Sequence, residues 1–151
     1  MPAVDDQAAL EARLLAARAS REAADARRSA RDERVRLLAE VEAEERAVRD
    51  AEVLEALEAE HGPLDKMIRR IDTDEGMVVV KRPNHILYKR FVDRGKTTSE
   101  ALEQLVRPCV IHPADKGELA RIFEAMPASL MRAADAVVHL AGARKEDIAG
   151  K

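Results

Sequence analysis

The amino-acid sequence predicts a mainly α-helical protein, in which a long N-terminal helix precedes a small α-helical domain with one or two short β-strands. Three observations support this fold class. Neither glycine nor proline occurs between Ala3 and His61, an interval filled largely by the strong helix formers Ala, Arg, Glu and Leu. The 151 residues include 28 alanines and only three aromatic residues, so the 46% hydrophobic fraction consists mainly of small side chains. Charged residues make up 36%, which argues against one large core.

The composition divides the chain into three segments. Residues 1–62 are expected to form a long Ala/Arg/Glu-rich helix or coiled coil, residues 63–142 a small α-rich domain, and residues 143–151 a flexible tail. Asp5 and Asp6 suit the start of the long helix, because their carboxylates can accept hydrogen bonds from its free N–H groups. Gly62-Pro63 is a typical stop signal. An unbroken helix of this kind would be on the order of 80 Å long and too polar to enclose a core of its own.

A heptad pattern of apolar residues runs along this helix. The spacing alternates between three and four residues, and after Ala30 the stripe shifts by one residue and becomes bulkier, with Glu44 as an interruption. We call this stripe the seam; it consists of Ala9, Ala12, Ala16, Ala19, Ala23, Ala26, Ala30, Leu37, Val41 and Val48. Because alanine buries little area, the seam predicts a weak coiled coil that is antiparallel or depends on a partner. The alternative is a solvated single helix held by pairs such as Glu42–Arg46 and Glu45–Arg49.

The first part of the C-terminal domain is expected to contain a strand. Residues 64–71 suggest a short helical turn, and residues 72–76 a turn. Met77–Val80 is typical of a strand that ends before Pro83, and Val110-Ile111 is a candidate to pair with it. Without that pairing, the strand would present an open edge to which another chain could add.

End signals place four helices in the rest of the domain. Asn84 suits the start of a helix through Arg94 that Gly95 closes, and Thr97 with Glu100 forms a capping box for a helix to about Arg107. The other two helices begin at Asp115 and at Pro127. Their expected core-facing residues are Leu119, Ile122, Phe123 and Met126 in the first, and Leu130, Ala134, Val137, Val138 and Ala141 in the second, which Gly142 closes.

Motifs that resemble catalytic or metal sites are incomplete. Gly95-Lys96-Thr97 matches the end of a P-loop, but Arg90 stands where its first glycine is needed. The acidic turn at 72–76 lacks the glycine and glutamate positions of a calcium loop. Cys109 and His112 have metal-ligand spacing without a second ligand pair, so we favour a buried thiol over a zinc ligand or a nucleophile. The sequence therefore predicts no enzyme activity, no catalytic or metal residues and no cofactor.

Basic residues concentrate between Lys81 and Lys96. Six of them stand against a single acidic residue, Asp93, and two aromatic residues lie among them. The simplest interpretation is a solvated face on a small helix; binding of an acidic partner or of nucleic acid are the alternatives. The candidate partner-binding residues are Lys81, Arg82, Tyr88, Lys89, Arg90, Arg94 and Lys96.

The overall charge and the termini narrow the function classes. The net charge of −3 and the lack of a basic tail argue against bulk nucleic-acid binding. A single cysteine excludes an internal disulfide and suits a reducing compartment. The acidic N-terminus is unlike a secretory signal, and no uncharged run reaches the length of a membrane helix. These features predict a cytoplasmic protein that does not contact membranes.

The C-terminal half resembles a known family. Several of its segments are similar to the small tail assembly chaperones of tailed bacteriophages. They are Val78-Val79-Val80-Lys81-Arg82-Pro83, the aromatic-bearing helix that follows, Ala101–Val106, Cys109–Pro113 and the closing Leu140-Ala141-Gly142. The resemblance covers residues 76–142, and its motifs are loose hydrophobic patterns. The long N-terminal helix departs from the compact pattern of that family.

The resemblance implies a non-enzymatic function. Such a protein would bind the helical tape-measure protein during tail assembly and keep its apolar stripe in solution, in the host cytoplasm or associated with the virion. It would form homo-oligomers, and a frameshift could extend its product. The alternative is a coiled-coil structural or adaptor component of a phage or bacterial assembly. Nucleic-acid regulation is the less favoured possibility.

Overall fold

The structure is a computed structural model that describes residues 2–142, with side chains described from residue 5. The chain forms two compact units, residues 1–49 and residues 50–151, and the boundary between them falls within the first helix. The expected tail at 143–151 lies outside the described residues. The elements are α1 (Pro2–His61), β1 (Ile68–Thr73), β2 (Gly76–Lys81), α2 (His85–Arg94), α3 (Ser99–Val106), a 3₁₀ helix (Arg107–Cys109), β3 (Val110–His112), α4 (Lys116–Ala125) and α5 (Ala128–Leu140). The predicted fold class is confirmed.

The second unit is built around a three-stranded antiparallel sheet in the order β1-β2-β3. β1 and β2 form a hairpin in which Thr73 pairs with Gly76 across a two-residue turn. The strand predicted at 77–80 is therefore the central one, and Val110 pairs with Val80 as expected. The interpretation of this strand as an open edge is wrong, because it has a neighbour on each side.

Alternate residues of β2 belong to two different hydrophobic clusters. Val78 and Val80 pack in the larger cluster with residues of α3, α4 and α5, among them Leu105, Ile122 and Val137. Met77 and Val79 pack in a smaller cluster that contains Ile68, Val53, Leu54, Leu57, Leu64 and Ile111. Since successive side chains of a strand point to opposite faces, the sheet is covered on both sides. The residues of α1 from Val53 to Leu57 cover one of those sides.

The segment expected to form a helical turn, residues 64–71, is the main local error. From Ile68 onward it is the strand β1. Ile68 lies in the smaller cluster and Ile71 in the larger one. Because the two isoleucines are three residues apart, they point to opposite faces of the strand. The same three-residue spacing fits one face of a helix, so the pattern alone is ambiguous.

Polar contacts hold the outer side of β1. Arg70 lies 2.6 Å from the carboxylate of Asp72 and 3.9 Å from that of Asp50 on α1. Arg132 on α5 donates a hydrogen bond to the carbonyl oxygen of Asp72, and the N–H of Asp65 donates to that of Ile68. Part of the edge that β1 exposes is thus already hydrogen-bonded, which disfavours strand addition there.

Most of the predicted helix ends are confirmed. The side chains of Asn84 and Asp115 accept hydrogen bonds from the N–H groups of Ile86 and Gly117, and Gly95 ends α2 with a φ of 62°. The cap of α3 is Thr98 instead of Thr97; its hydroxyl accepts from the N–H of Ala101. In α4 and α5 the expected core-facing residues are buried, except Met126, Val138 and Ala141, which are half-buried.

Candidate partner-binding surfaces

The first unit exposes all of its described side chains. Residues 5–49 are helical and every one is exposed, which includes all ten seam residues from Ala9 to Val48. Within this unit, therefore, none of the described side chains is buried. An apolar stripe of this length is typical of a surface that is covered by another helix.

Large aliphatic side chains mark two parts of that helix. One group lies near its start and the other in its second half, and all are about half exposed or more: Leu10, Leu14, Leu15, Val35, Leu37, Leu38, Val41 and Val48. Only Leu37, Val41 and Val48 belong to the seam. Of the others, Leu15 and Leu38 lie beside the seam, whereas Leu10, Leu14 and Val35 lie on other faces of the helix.

The second candidate surface is built on α2. No residue of α2 is fully buried, and only Leu87 and Phe91 pack against the larger cluster. The helix is held at its start by the Asn84 cap and at its end by the left-handed Gly95. This arrangement leaves most of its basic side chains in solvent, on two different sides.

One side of α2 borders a cleft with a volume of about 380 Å³, which we call the Tyr88 cleft. Its lining combines apolar groups with basic ones: Arg82, Pro83, His85, Tyr88, Lys89, Val92 and Ala141. Arg82 and Lys89 are exposed, whereas Tyr88 is half-buried. An apolar floor with a cationic rim fits a segment that carries an apolar side chain next to carboxylates.

The other basic residues lie elsewhere. Arg90 and Arg94 line a second cleft of about 220 Å³ between α2 and α3, with Phe91 and Leu105 as part of its floor, and Arg94 donates a hydrogen bond to Gln104. Lys96, Arg94, Thr98 and Glu100 line a third cleft of about 510 Å³. The predicted basic segment is thus divided between surfaces: Arg82, Tyr88 and Lys89 share one cleft, and Arg90 and Arg94 share another.

A cleft between β1 and α5 was not suggested by the sequence. It has a volume of about 400 Å³ and is lined by Arg69, Arg70, Ile71, Arg132, Asp135, Ala136 and His139. Two of its three arginines are already engaged, because Arg70 pairs with Asp50 and Asp72 and Arg132 donates a hydrogen bond to the backbone carbonyl of Asp72. We therefore assign it a role in holding the sheet.

Cys109 is the residue that the sequence placed closest to catalysis or metal binding. It is 1% exposed and belongs to the larger cluster, as expected for a structural thiol. Burial raises the pKa of the thiol from 9.0 to about 11, an effect that the positive charge of Lys81 opposes only in part. Among the described residues, no group of three or more His, Cys, Asp or Glu side chains is arranged to hold a metal ion.

The raised pKa predicts slow modification of Cys109. Near neutral pH the folded chain should react with a thiol reagent such as DTNB about a hundredfold more slowly than the chain unfolded in guanidinium, since the thiolate is the reactive form. The folded state holds this proton more tightly than the unfolded state. The free energy of unfolding is therefore unaffected by this group below pH 9 and decreases as the pH rises from 9 towards 11. Equal rates for folded and unfolded chain would show that Cys109 is accessible.

Comparisons with known proteins identify one family. In the described residues no helix has the length and apolar character that crossing a membrane requires. No curated protein and no solved structure matches the chain. Residues 67–149, more than half of the chain, match a domain of unknown function, DUF6848. This range includes the sheet, α2 to α5 and the Tyr88 cleft, and excludes the seam. The chain therefore belongs to the DUF6848 family.

Proposed function

We propose that the protein is a non-enzymatic assembly factor that binds a long helical partner through its N-terminal helix. The observation that carries the proposal is that every residue from 5 to 49 is exposed, including eight large aliphatic side chains that are about half exposed or more. Covering such a surface contributes roughly 25 cal/mol of binding free energy for each Å² of apolar area removed from water. Because the apolar residues follow one helix, a second helix with an apolar face can cover them along their length.

The resemblance to tail assembly chaperones suggests which helical partner this is. A tape-measure protein is long and helical and carries an apolar stripe, which matches what the seam can cover. We place this function in the cytoplasm of the host cell, with association with the virion as the alternative. The DUF6848 match overlaps the residues that carry the resemblance but names no activity.

The alternative function is a structural or adaptor component of a phage or bacterial assembly. The Tyr88 cleft favours it, because this cleft gives the second unit a binding surface of its own, suited to an acidic segment. A protein with two such surfaces can join two partners. Single-stranded nucleic acid fits the cleft less well, since Tyr88 is its only aromatic residue and Phe91 packs against the larger cluster.

The proposal is tested by co-expressing the chain with the long helical product of a neighbouring gene. We expect the soluble yield of that product to rise. The variant Leu37→Glu/Val41→Glu should abolish most of this rise, because losing two aliphatic contacts costs about 2–3 kcal/mol, roughly a thirtyfold to hundredfold weakening of binding.

The matched control is Ala39→Glu/Ala43→Glu, which adds the same two charges to another face of the same exposed helix. This control should behave like the native chain. Equal yields of the partner with and without the native chain would contradict the chaperone function. A partner that keeps the chain bound in the finished assembly would instead support the adaptor function.

A further inference from the structure

The seam is symmetric about Ala30. Seam residues before Ala30 are all alanine, whereas those after it are leucine and valine. Ala12 and Val48 are each 18 positions from Ala30, Ala19 and Val41 are each 11 positions away, and Ala23 and Leu37 are each 7. Every large seam residue therefore has an alanine at the same distance on the other side.

The spacing has the same symmetry. Arg34 and Glu44 stand at the two heptad positions that the seam leaves without an apolar residue. With these two included, the steps away from Ala30 are 4, 3, 4, 3 and 4 residues on both sides: 12, 16, 19, 23, 26, 30, 34, 37, 41, 44 and 48. When two such helices run in opposite directions, a-type positions of one meet d-type positions of the other, as an antiparallel coiled coil requires. We propose that residues 12–48 of two copies of this chain pair in this way, with the two-fold axis at Ala30.

The two charged positions of the stripe select this arrangement over a parallel one. In an antiparallel pair centred on Ala30, Arg34 lies opposite Ala26 of the other copy, and Glu44 lies opposite Ala16. In a parallel pair in register, arginine would face arginine and glutamate would face glutamate inside the seam. Such like-charge layers are unfavourable, whereas a long charged side chain next to alanine can extend to solvent.

Side-chain size points the same way. A small residue opposite a large one in successive layers keeps the distance between two helices nearly constant along their length. In a parallel pair, alanine would face alanine in the first half, while leucine and valine would face each other in the second. The two helices would then have to diverge along the seam, because the preferred interaxial distance depends on side-chain size.

The two segments that antiparallel pairing brings together also have opposite net charges. Residues 12–23 carry three arginines and one glutamate, a net charge of +2, while residues 37–48 carry four glutamates and one arginine, a net charge of −3. The antiparallel pair brings these segments together twice. In a parallel pair in register, each segment would lie against a segment of the same charge. The resulting repulsion disfavours the parallel pair.

Among the described residues of the first unit, this surface is exposed. Leu37, Val41 and Val48 are 49%, 52% and 57% exposed, and residues 5–49 form a unit of their own. Pairing between copies would cover all three at once. The second copy and the proposed helical partner would cover the same residues, so this inference concerns the chain in the absence of that partner.

Cysteine cross-linking of the full-length chain tests the arrangement. Under mild oxidation Ala30→Cys should form a disulfide-linked dimer by itself, since the two-fold axis brings the two thiols together. Ala12→Cys and Val48→Cys should each fail to cross-link alone and should form a mixed dimer when combined. Ala39→Cys, on another face, is the matched control, and the native chain with its buried Cys109 sets the background.

The outcomes separate the alternatives. Self-linking of Ala12→Cys and of Val48→Cys would show parallel pairing and overturn the inference. A chain that sediments as a monomer at every accessible concentration, with no linking of Ala30→Cys, would overturn it as well. In that case the co-expression test could still succeed, because the seam would then serve another protein alone.

Discussion

Replacing Leu105 with alanine should lower the free energy of unfolding of the second unit by about 3 kcal/mol. Leu105 is 1% exposed and lies in the larger cluster, where α3 packs against α5. The substitution removes buried methyl groups and leaves a cavity that the surrounding helices fill only in part. Chemical denaturation of the full chain, followed by a probe specific to the second unit such as the fluorescence of Tyr88, measures the change.

The matched control is Leu38→Ala, the same substitution at a site that is 57% exposed in the first unit. Its effect on the second unit should be within about 0.5 kcal/mol of zero, as is usual for surface positions. If both variants unfolded at the same denaturant concentration, the larger cluster would not be the main source of stability.

Removing residues 50–62 should destabilise the second unit more than any single core substitution. Val53, Leu54 and Leu57 cover the face of the sheet that carries Ile68 and Val79, and Asp50 pairs with Arg70. A fragment of residues 63–151 exposes that face to water. With several aliphatic side chains uncovered at about 1.5–3 kcal/mol each, it should bind a hydrophobic dye such as ANS and lose its sharp thermal transition.

The comparison is a fragment of residues 50–151, which has the whole of the second unit. This longer fragment should unfold cooperatively and bind little dye. A sharp transition of the 63–151 fragment at the same temperature would mean that the end of α1 adds nothing to the stability of the sheet.

The elements that local chemistry determines were the ones that the sequence predicted well. The absence of glycine and proline between Ala3 and His61 predicted α1, and Asn84, Gly95 and Asp115 predicted helix ends that the structure confirms. Each of these signals acts within a few residues, through backbone conformation or a capping hydrogen bond. Thr98 replaces Thr97 as a cap because neighbouring threonines offer the same hydroxyl, and packing selects between them.

The elements that depend on distant contacts were harder to predict. β1 carries two arginines between its isoleucines, and it is a strand because β2 pairs with it and because two clusters take Ile68 and Ile71 in opposite directions. Neither cluster is visible in the segment itself. In the same way, the run of valines in β2 predicted a strand but not that both its faces are covered.

The candidate surfaces also differ in how well local sequence patterns predict them. Heptad spacing is a local property, so the seam could be recognised, and its exposure agrees with a surface that needs a partner. The basic segment was recognised from composition, which does not show the direction of a side chain. The turn of α2 separates Lys89 from Arg90, so that adjacent residues line different clefts.

The position of β2 between two layers has a consequence for the order of folding during synthesis. The last turns of α1 precede β2 in the chain, so Val53, Leu54 and Leu57 are already made when Val78–Val80 leaves the ribosome, whereas α5 begins only at Ala128. For the time needed to add about fifty residues, a few seconds at usual rates of translation, the other face of β2 lacks the residues of α5 that complete its cover. During that interval the nascent strand is open to chaperones and to other nascent copies, so the interval between β2 and α5 sets how long the chain is exposed to misassembly.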